Sequence, residues 1–134
     1  MRRSDRGQAM VEFAFVIALF LMIIFGVIDL GRAIQAQNQL AVAAREGARA
    51  AALTHNADGS TRTDAQIREA AKAAVGLVTL SDGNIAVDPA GTRTSGLTVT
   101  VTASYSFTVV TPLVSLSWGG GPIPLRGKST AVVE

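Results

Sequence analysis

The spacing of apolar and polar positions passes along this chain from an unbroken apolar run, through steps of three and four, to alternation of period two. Residues 7–28 form a stretch of 22 whose only charge is Glu12, and Asp29 follows it. As a helix this stretch spans about 33 Å, enough for a hydrocarbon core of about 30 Å. The rest of the chain is too small and polar to enclose a helix that is apolar on every side, so the pattern predicts a membrane segment. No proline interrupts residues 8–53, and beyond Ile28 the chain stays rich in Ala, Gln, Leu and Arg. The helix is therefore expected to continue to a length of about 69 Å. Its outer half sets Ala33, Ala36, Leu40, Ala43, Ala44, Gly47 and Ala51 at steps of three and four. Such a small-residue stripe, with Gly26 and Gly31 at the membrane exit, lets another backbone come close. That backbone is either the chain's own exterior domain or another subunit.

Residues 54–60 read as a loop from their Asn, Asp-Gly and Ser content. Thr63 and Gln66 have the spacing of a capping box. After them Ile67, Ala70, Ala71, Ala74, Val75 and Val78 trace one apolar face, which predicts a second, amphipathic helix over 64–78. Residues 81–84 turn the chain into a short strand over 85–87, and residues 88–91 turn it again. From 97 to 109 the period is two: Leu97, Val99, Val101, Ala103, Tyr105, Phe107 and Val109 alternate with Thr and Ser. That is a strand with one dry and one wet face. A weaker alternation over 125–133 predicts an antiparallel partner. Between these two strands, residues 111–122 form a long loop that carries Leu113, Val114, Leu116 and Trp118. Loops of this length usually pack or bind. Here the four apolar residues either cover the sheet or form a contact patch for a neighbouring subunit or the outer lipid surface.

The fold class expected is α+β: a long N-terminal helix, a second amphipathic helix and a small antiparallel sheet of two or three strands. A sheet this small needs helix cover. The organisation expected is a basic leader over 1–7, a transmembrane helix over 8–29, its extramembrane continuation over 30–53 and an exterior α+β domain over 54–134.

Charge adds an orientation. The net +2 arises from Arg2, Arg3 and Arg6 against Asp5; from Gln8 onward nine basic residues balance nine acidic ones. Arginines ahead of an apolar helix favour keeping that end in the cytoplasm, which sends the remainder outward, although Arg32, Arg45 and Arg49 follow the segment. The balanced remainder carries no nucleic-acid footprint. An apolar run this long exceeds that of a cleavable signal peptide, about 7–15 residues. Along the helix, Asp29 with Arg32 and Glu46 with Arg49 are spaced three apart for local ion pairs, the first marking the membrane interface.

Catalytic chemistry is not legible. The chain has one His, His55 in a polar loop, and no Cys. Gly119-Gly120-Gly121 lacks the Lys-Ser/Thr of a phosphate loop, and no carboxylates are spaced for a metal. The expectation is a non-enzyme with no cofactor and no metal.

Glu12 is the exception that calls for a reason. A carboxylate in an apolar helix costs about 2.5–3.5 kcal/mol near the bilayer centre and less near the edge. Glu12 lies about one turn inside the segment, so it either snorkels to the interface or meets a cation. The sequence offers no cation between Gly7 and Arg32. A cut after Gly7 would create one, because the new α-amino group of Gln8 has an unperturbed pKa of about 8.

Arg6-Gly7 followed by Gln8-Ala9-Met10-Val11-Glu12-Phe13 resembles a class III-type prepilin processing site. Three segments together resemble the TadE-like family of pseudopilins, from the tight-adherence or type IVc pilus system: residues 7–13, Gly26-Val27-Ile28-Asp29-Leu30-Gly31-Arg32, and Ala43-Ala44-Arg45-Glu46-Gly47-Ala48-Arg49. The close match covers residues 6–53, while the β-rich remainder fits only a general pilin-like plan. The resemblance implies that a membrane-embedded prepilin peptidase cuts after Gly7, that Gln8 becomes the N-terminus, and that Glu12 aligns incoming subunits. The helix-packing positions expected from the small-residue spacing are Gly26, Gly31, Ala36, Leu40, Ala43 and Gly47. The resemblance also implies a role in pilus biogenesis, for cell adhesion, colonisation or DNA uptake. The partners implied are the lipid bilayer, other pilins or pseudopilins in homo- or hetero-oligomers, and the assembly machinery. The location implied is the inner membrane, N-terminus cytoplasmic, with passage into an extracellular pilus after processing. The alternative is a signal-anchored exterior binding module that never enters a filament.

Overall fold

A single helix, α1 (Arg2–Ala52), opens the chain. The computed structural model describes residues 2–53, 62–111 and 119–134. The loop bearing His55 and the four apolar residues Leu113, Val114, Leu116 and Trp118 lie outside the described residues. After α1 come α2 (Asp64–Ala73), a single turn of 3₁₀ helix (Asp82–Asn84), and strands β1 (Ile85–Asp88), β2 (Thr98–Phe107) and β3 (Ile123–Val132). The fold is α+β, as the hydrophobic periods predict. The chain divides into two compact units: Met1–Arg32 with Thr108–Pro122, and Ala33–Phe107 with Ile123–Glu134.

In the first unit the apolar part of α1 reaches a mean hydropathy of 2.8, and none of it is buried within the chain. It is long and apolar enough to cross a membrane.

The second unit is built on an antiparallel sheet of order β1-β2-β3. Register places Ile85, Ala103 and Gly127 in one row across it, and Val87, Val101 and Ser129 in the next. Period-two alternation sends Ile85, Val87, Val99, Val101, Ala103 and Gly127 to the covered face. The opposite face carries Thr98, Ser106, Arg126, Lys128 and Thr130, all exposed. Three strands are marginal without cover. The cover comes from α2, which buries Ile67 and Ala71, and from the outer half of α1, which buries Ala36, Leu40, Ala43, Ala44, Ala48 and Ala51. The last turn of α1 is tied to the end of the sheet by the Glu134 N–H, which donates to the Ala52 carbonyl at 3.0 Å.

The capping box forms as the sequence predicts. Thr63 Oγ1 accepts from the Gln66 N–H, and Gln66 Oε1 accepts from the Thr63 N–H at 3.0 Å. The far end of α2 departs from expectation, since the helix stops at Ala73 rather than 78. There the Val75 N–H reaches back only to Lys72, and the Gly76 N–H donates to Gln39 Oε1 of α1 at 3.3 Å. A tertiary acceptor thus replaces the helical one. The residues left after Ala73 include β-branched Val75 and Gly76, both weak helix formers, although Val78 still reaches the core. The strand anticipated over 125–133 begins earlier, at Ile123, and takes in Pro124. Proline is tolerated there because β3 lies at the sheet edge.

Candidate functional site

Near the N-terminus, Gly7, Gln8 and Glu12 all lie on α1 and are exposed. Gln8 and Glu12 are one helical turn apart and so share a face. A methyl group at Gly7 would meet nothing within 4 Å.

The six small or packing residues of the helix divide into two groups. Ala36, Leu40, Ala43 and Gly47 are buried inside the chain, with Leu40 and Ala43 at 0% exposure. A Cβ on Gly47 would lie 2.9 Å from Val101 Cγ1 and 3.2 Å from Ala71 Cβ, so β2 and α2 both press on that position. Gly47 is therefore taken up by the chain's own sheet and second helix, and the main chain at Leu40 by Gly127 of β3. By contrast, a methyl group on Gly26 or Gly31 would meet nothing within 4 Å among the described residues.

The most heavily bonded group on α1 is Asp29. The sequence marks it only as the partner of Arg32, and that pair forms, Arg32 Nη1 donating to Oδ1 at 3.0 Å. The carboxylate is 5% exposed, however, and most of its bonds run to residues more than eighty positions away. The Val110 N–H donates to Oδ2 at 3.0 Å and to Oδ1 at 3.2 Å. The Thr111 N–H and the Thr111 hydroxyl each donate to Oδ2 at 2.7 Å. Two successive backbone N–H groups, a hydroxyl and a guanidinium thus satisfy one buried carboxylate, as burial of a charge requires. The arrangement is a latch between the helix and the segment that leaves β2.

A second buried charge lies in the other unit. Arg93 is 6% exposed and its Nη2 donates to Asp64 Oδ1, at the first turn of α2; the Gly91 N–H donates to Asp64 Oδ2 at 3.0 Å. Arg93 Nε has no hydrogen-bond partner among the described residues. Burial pushes the Asp64 carboxyl up, but the Arg93 hydrogen bond, the Gly91 N–H and the charges of Arg93 and Arg68 outweigh it, leaving Asp64 below the ordinary carboxylate value. As pH falls, the unfolded chain takes its proton first, at about pH 3.9. The stabilisation is therefore complete above that value and is lost as pH falls through the lowered folded value. In a thermal-melting series on detergent-solubilised protein, wild type is expected to lose stability steeply below about pH 4. Asp64→Asn is expected to start about 1–3 kcal/mol less stable and to show a shallower acid limb. Equal acid limbs would sink the assignment.

Among the described residues no group of His, Cys, Asp or Glu could hold a metal ion. What the fold and these sites define is an α+β protein carried on an apolar helix long enough to span a bilayer. The family model described as TadE-like protein matches residues 7–49, from the glycine of the basic N-terminus to Arg49. That segment contains Glu12, Asp29 and the buried positions of α1 from Ala36 to Ala48. No curated protein and no solved structure matches the chain. TadE-like proteins are pilus-associated structural proteins, not an enzyme family, and the match together with the apolar helix fits a membrane protein associated with a Tad pilus.

Three features were missed by reading the sequence: the partners of Asp29, the Asp64–Arg93 pair, and Gly127, where a Cβ would stand 2.7 Å from Ala41 N. Nothing near Asp29 names Val110 or Thr111 as its partners. Gly127 carried a signal that could have been used, because an isolated glycine inside a strand pattern points to close backbone approach.

Proposed function

We propose that this chain is a pseudopilin of a Tad pilus system, held in the inner membrane by α1 with its basic N-terminus in the cytoplasm. A prepilin peptidase removes residues 1–7, and the chain then assembles with other pilins or pseudopilins through its N-terminal helix. The observation that carries this reading is the TadE-like match over residues 7–49, lying on a helix whose apolar stretch has none of its residues buried among the described ones. Cleavage after Gly7 places an α-amino cation on Gln8, one turn from Glu12. Between neighbouring subunits that cation and the Glu12 carboxylate compensate each other at membrane depth, where either alone is costly. Gly26 and Gly31, open on the helix surface, are the positions left for close approach of a second helix. The apolar residues Leu113, Val114, Leu116 and Trp118 are assigned to contact with a neighbouring subunit or the outer lipid surface.

The test has two parts. N-terminal sequencing of the protein from cells with an active prepilin peptidase is expected to begin at Gln8; an intact Met1 or Arg2 terminus refutes processing. Glu12→Ala is expected to leave membrane insertion at wild-type level, since it removes a charge from an apolar helix, while sheared pili fall at least about tenfold, the equivalent of about 1.4 kcal/mol per assembly step. An unchanged pilus count would remove the alignment role.

A further inference from the structure

The latch at Asp29 also fixes where the chain leaving β2 sits along α1. The apolar run stops at Ile28, and Asp29 is the first ionisable residue after Glu12. If α1 spans the bilayer, this is the level at which headgroups replace hydrocarbon. The Asp29 carboxylate is turned inward onto Val110 and Thr111, with Val110 N at 3.0 Å from it. Yet the side chains beside it are apolar and bare: Ile28 is 51% exposed, Leu30 61% and Val110 66%. Ile28 and Leu30 flank Asp29 along the helix, so with Val110 they set exposed apolar side chains at the end of the apolar run, beside a buried carboxylate. Arg32, bound to Asp29 and with its side chain 49% exposed, sets a cation one turn outside the apolar run, where lipid phosphates lie. Basic side chains near a helix end reach for that layer while their stems stay in apolar surroundings.

We propose that Val110, held by Asp29, rests on the lipid surface beside the helix and forms a second, peripheral contact with the bilayer. The chain is then seated on the membrane as well as tethered to it. This inference rests on the membrane-anchor reading of α1.

The chain has no cysteine, so single-cysteine variants carry one spin label each. Val110→Cys, Val16→Cys and Thr130→Cys are labelled in the full-length protein, reconstituted at one copy per phospholipid nanodisc. Their collision rates with oxygen and with a water-soluble nickel chelate are then compared. Val16 reports the apolar helix, and Thr130 the exposed sheet face. The Val110 label is expected to favour oxygen over nickel, as Val16 does and Thr130 does not, and to lose that preference when Asp29→Asn is added. Nickel access at Val110 equal to that at Thr130, with Val16 still in lipid, overturns the proposal and leaves the anchor standing. Nickel access at Val16 as well overturns both. Protection of Val110 that appears only with several copies per disc assigns this surface to a second copy of the chain and likewise overturns the lipid contact.

Discussion

Gly127→Ala is expected to destabilise the unit built on the sheet by about 3 kcal/mol or more, at the upper end of the range for overpacked cores. Gly127 lies on the covered face of β3, opposite Ala103, where the backbone of α1 crosses the strand. A Cβ there would be driven into the Leu40 carbonyl and would stand 2.7 Å from Ala41 N. Those obstacles are main-chain atoms of a helix, which cannot swing aside as a side-chain tip can. Relief requires α1 to lift from the sheet, which uncovers Leu40 and Val101, both at 0% exposure. Small domains have only about 5–15 kcal/mol in total, and 1 kcal/mol shifts the melting point of a domain this size by roughly 4–8 °C. Far-UV circular dichroism in detergent should therefore show a fall of more than about 10 °C. Gly121→Ala, where a methyl meets nothing within 4 Å, is the matched control and should melt with wild type. A Gly127→Ala protein within about 2 °C of wild type would contradict the crossing.

Asp29→Asn is the second large effect, and it should be local. The carboxylate accepts from Val110 N–H, Thr111 N–H, the Thr111 hydroxyl and Arg32. An asparagine offers one acceptor oxygen and turns an NH₂ group toward donors. Hydrogen bonds to a charged partner contribute about 1.5–3 kcal/mol each, and buried donors left facing donors add a desolvation cost. The Val110 and Thr111 amides should then exchange with solvent at least about tenfold faster, since 1.4 kcal/mol is one power of ten. The Val101 and Ala103 amides, in the middle of the sheet, should be unchanged. Thr111→Val keeps both backbone bonds and should show a smaller change, about 1 kcal/mol. Uniform acceleration across the sheet would mean that Asp29 stabilises the whole fold instead of latching one segment.

These two positions lie beyond the reach of local sequence patterns, which are legible elsewhere in the chain. Gly7 and Glu12 stand out because a charge in a long apolar run is costly wherever the chain folds. The Thr63–Gln66 capping box, the strand around Val99 and Val101, and the Glu46–Arg49 pair, whose atoms meet at 2.9 Å, are equally local. Each depends on residues within a few positions of one another, so spacing alone predicts it. The small-residue stripe was legible as a packing face but not as to what packs on it. Ala36, Leu40, Ala43 and Gly47 fit a neighbouring subunit as well as they fit the chain's own sheet, because close approach needs small side chains in either case.

By itself, then, the sequence determined the elements: an apolar helix of membrane length, its polar continuation, a capped amphipathic helix and strands of period two. It did so because helix and strand periods, caps and hydrophobic runs are properties of near neighbours. Only the tertiary structure decided that α2 ends at Ala73, where Gln39 takes the Gly76 N–H, that Gly127 must be glycine beneath Leu40, and that Asp29 holds Val110 and Thr111. Each of those pairs groups separated by between 37 and 87 positions. A contact at that range depends on how the elements pack, and local spacing carries no record of it.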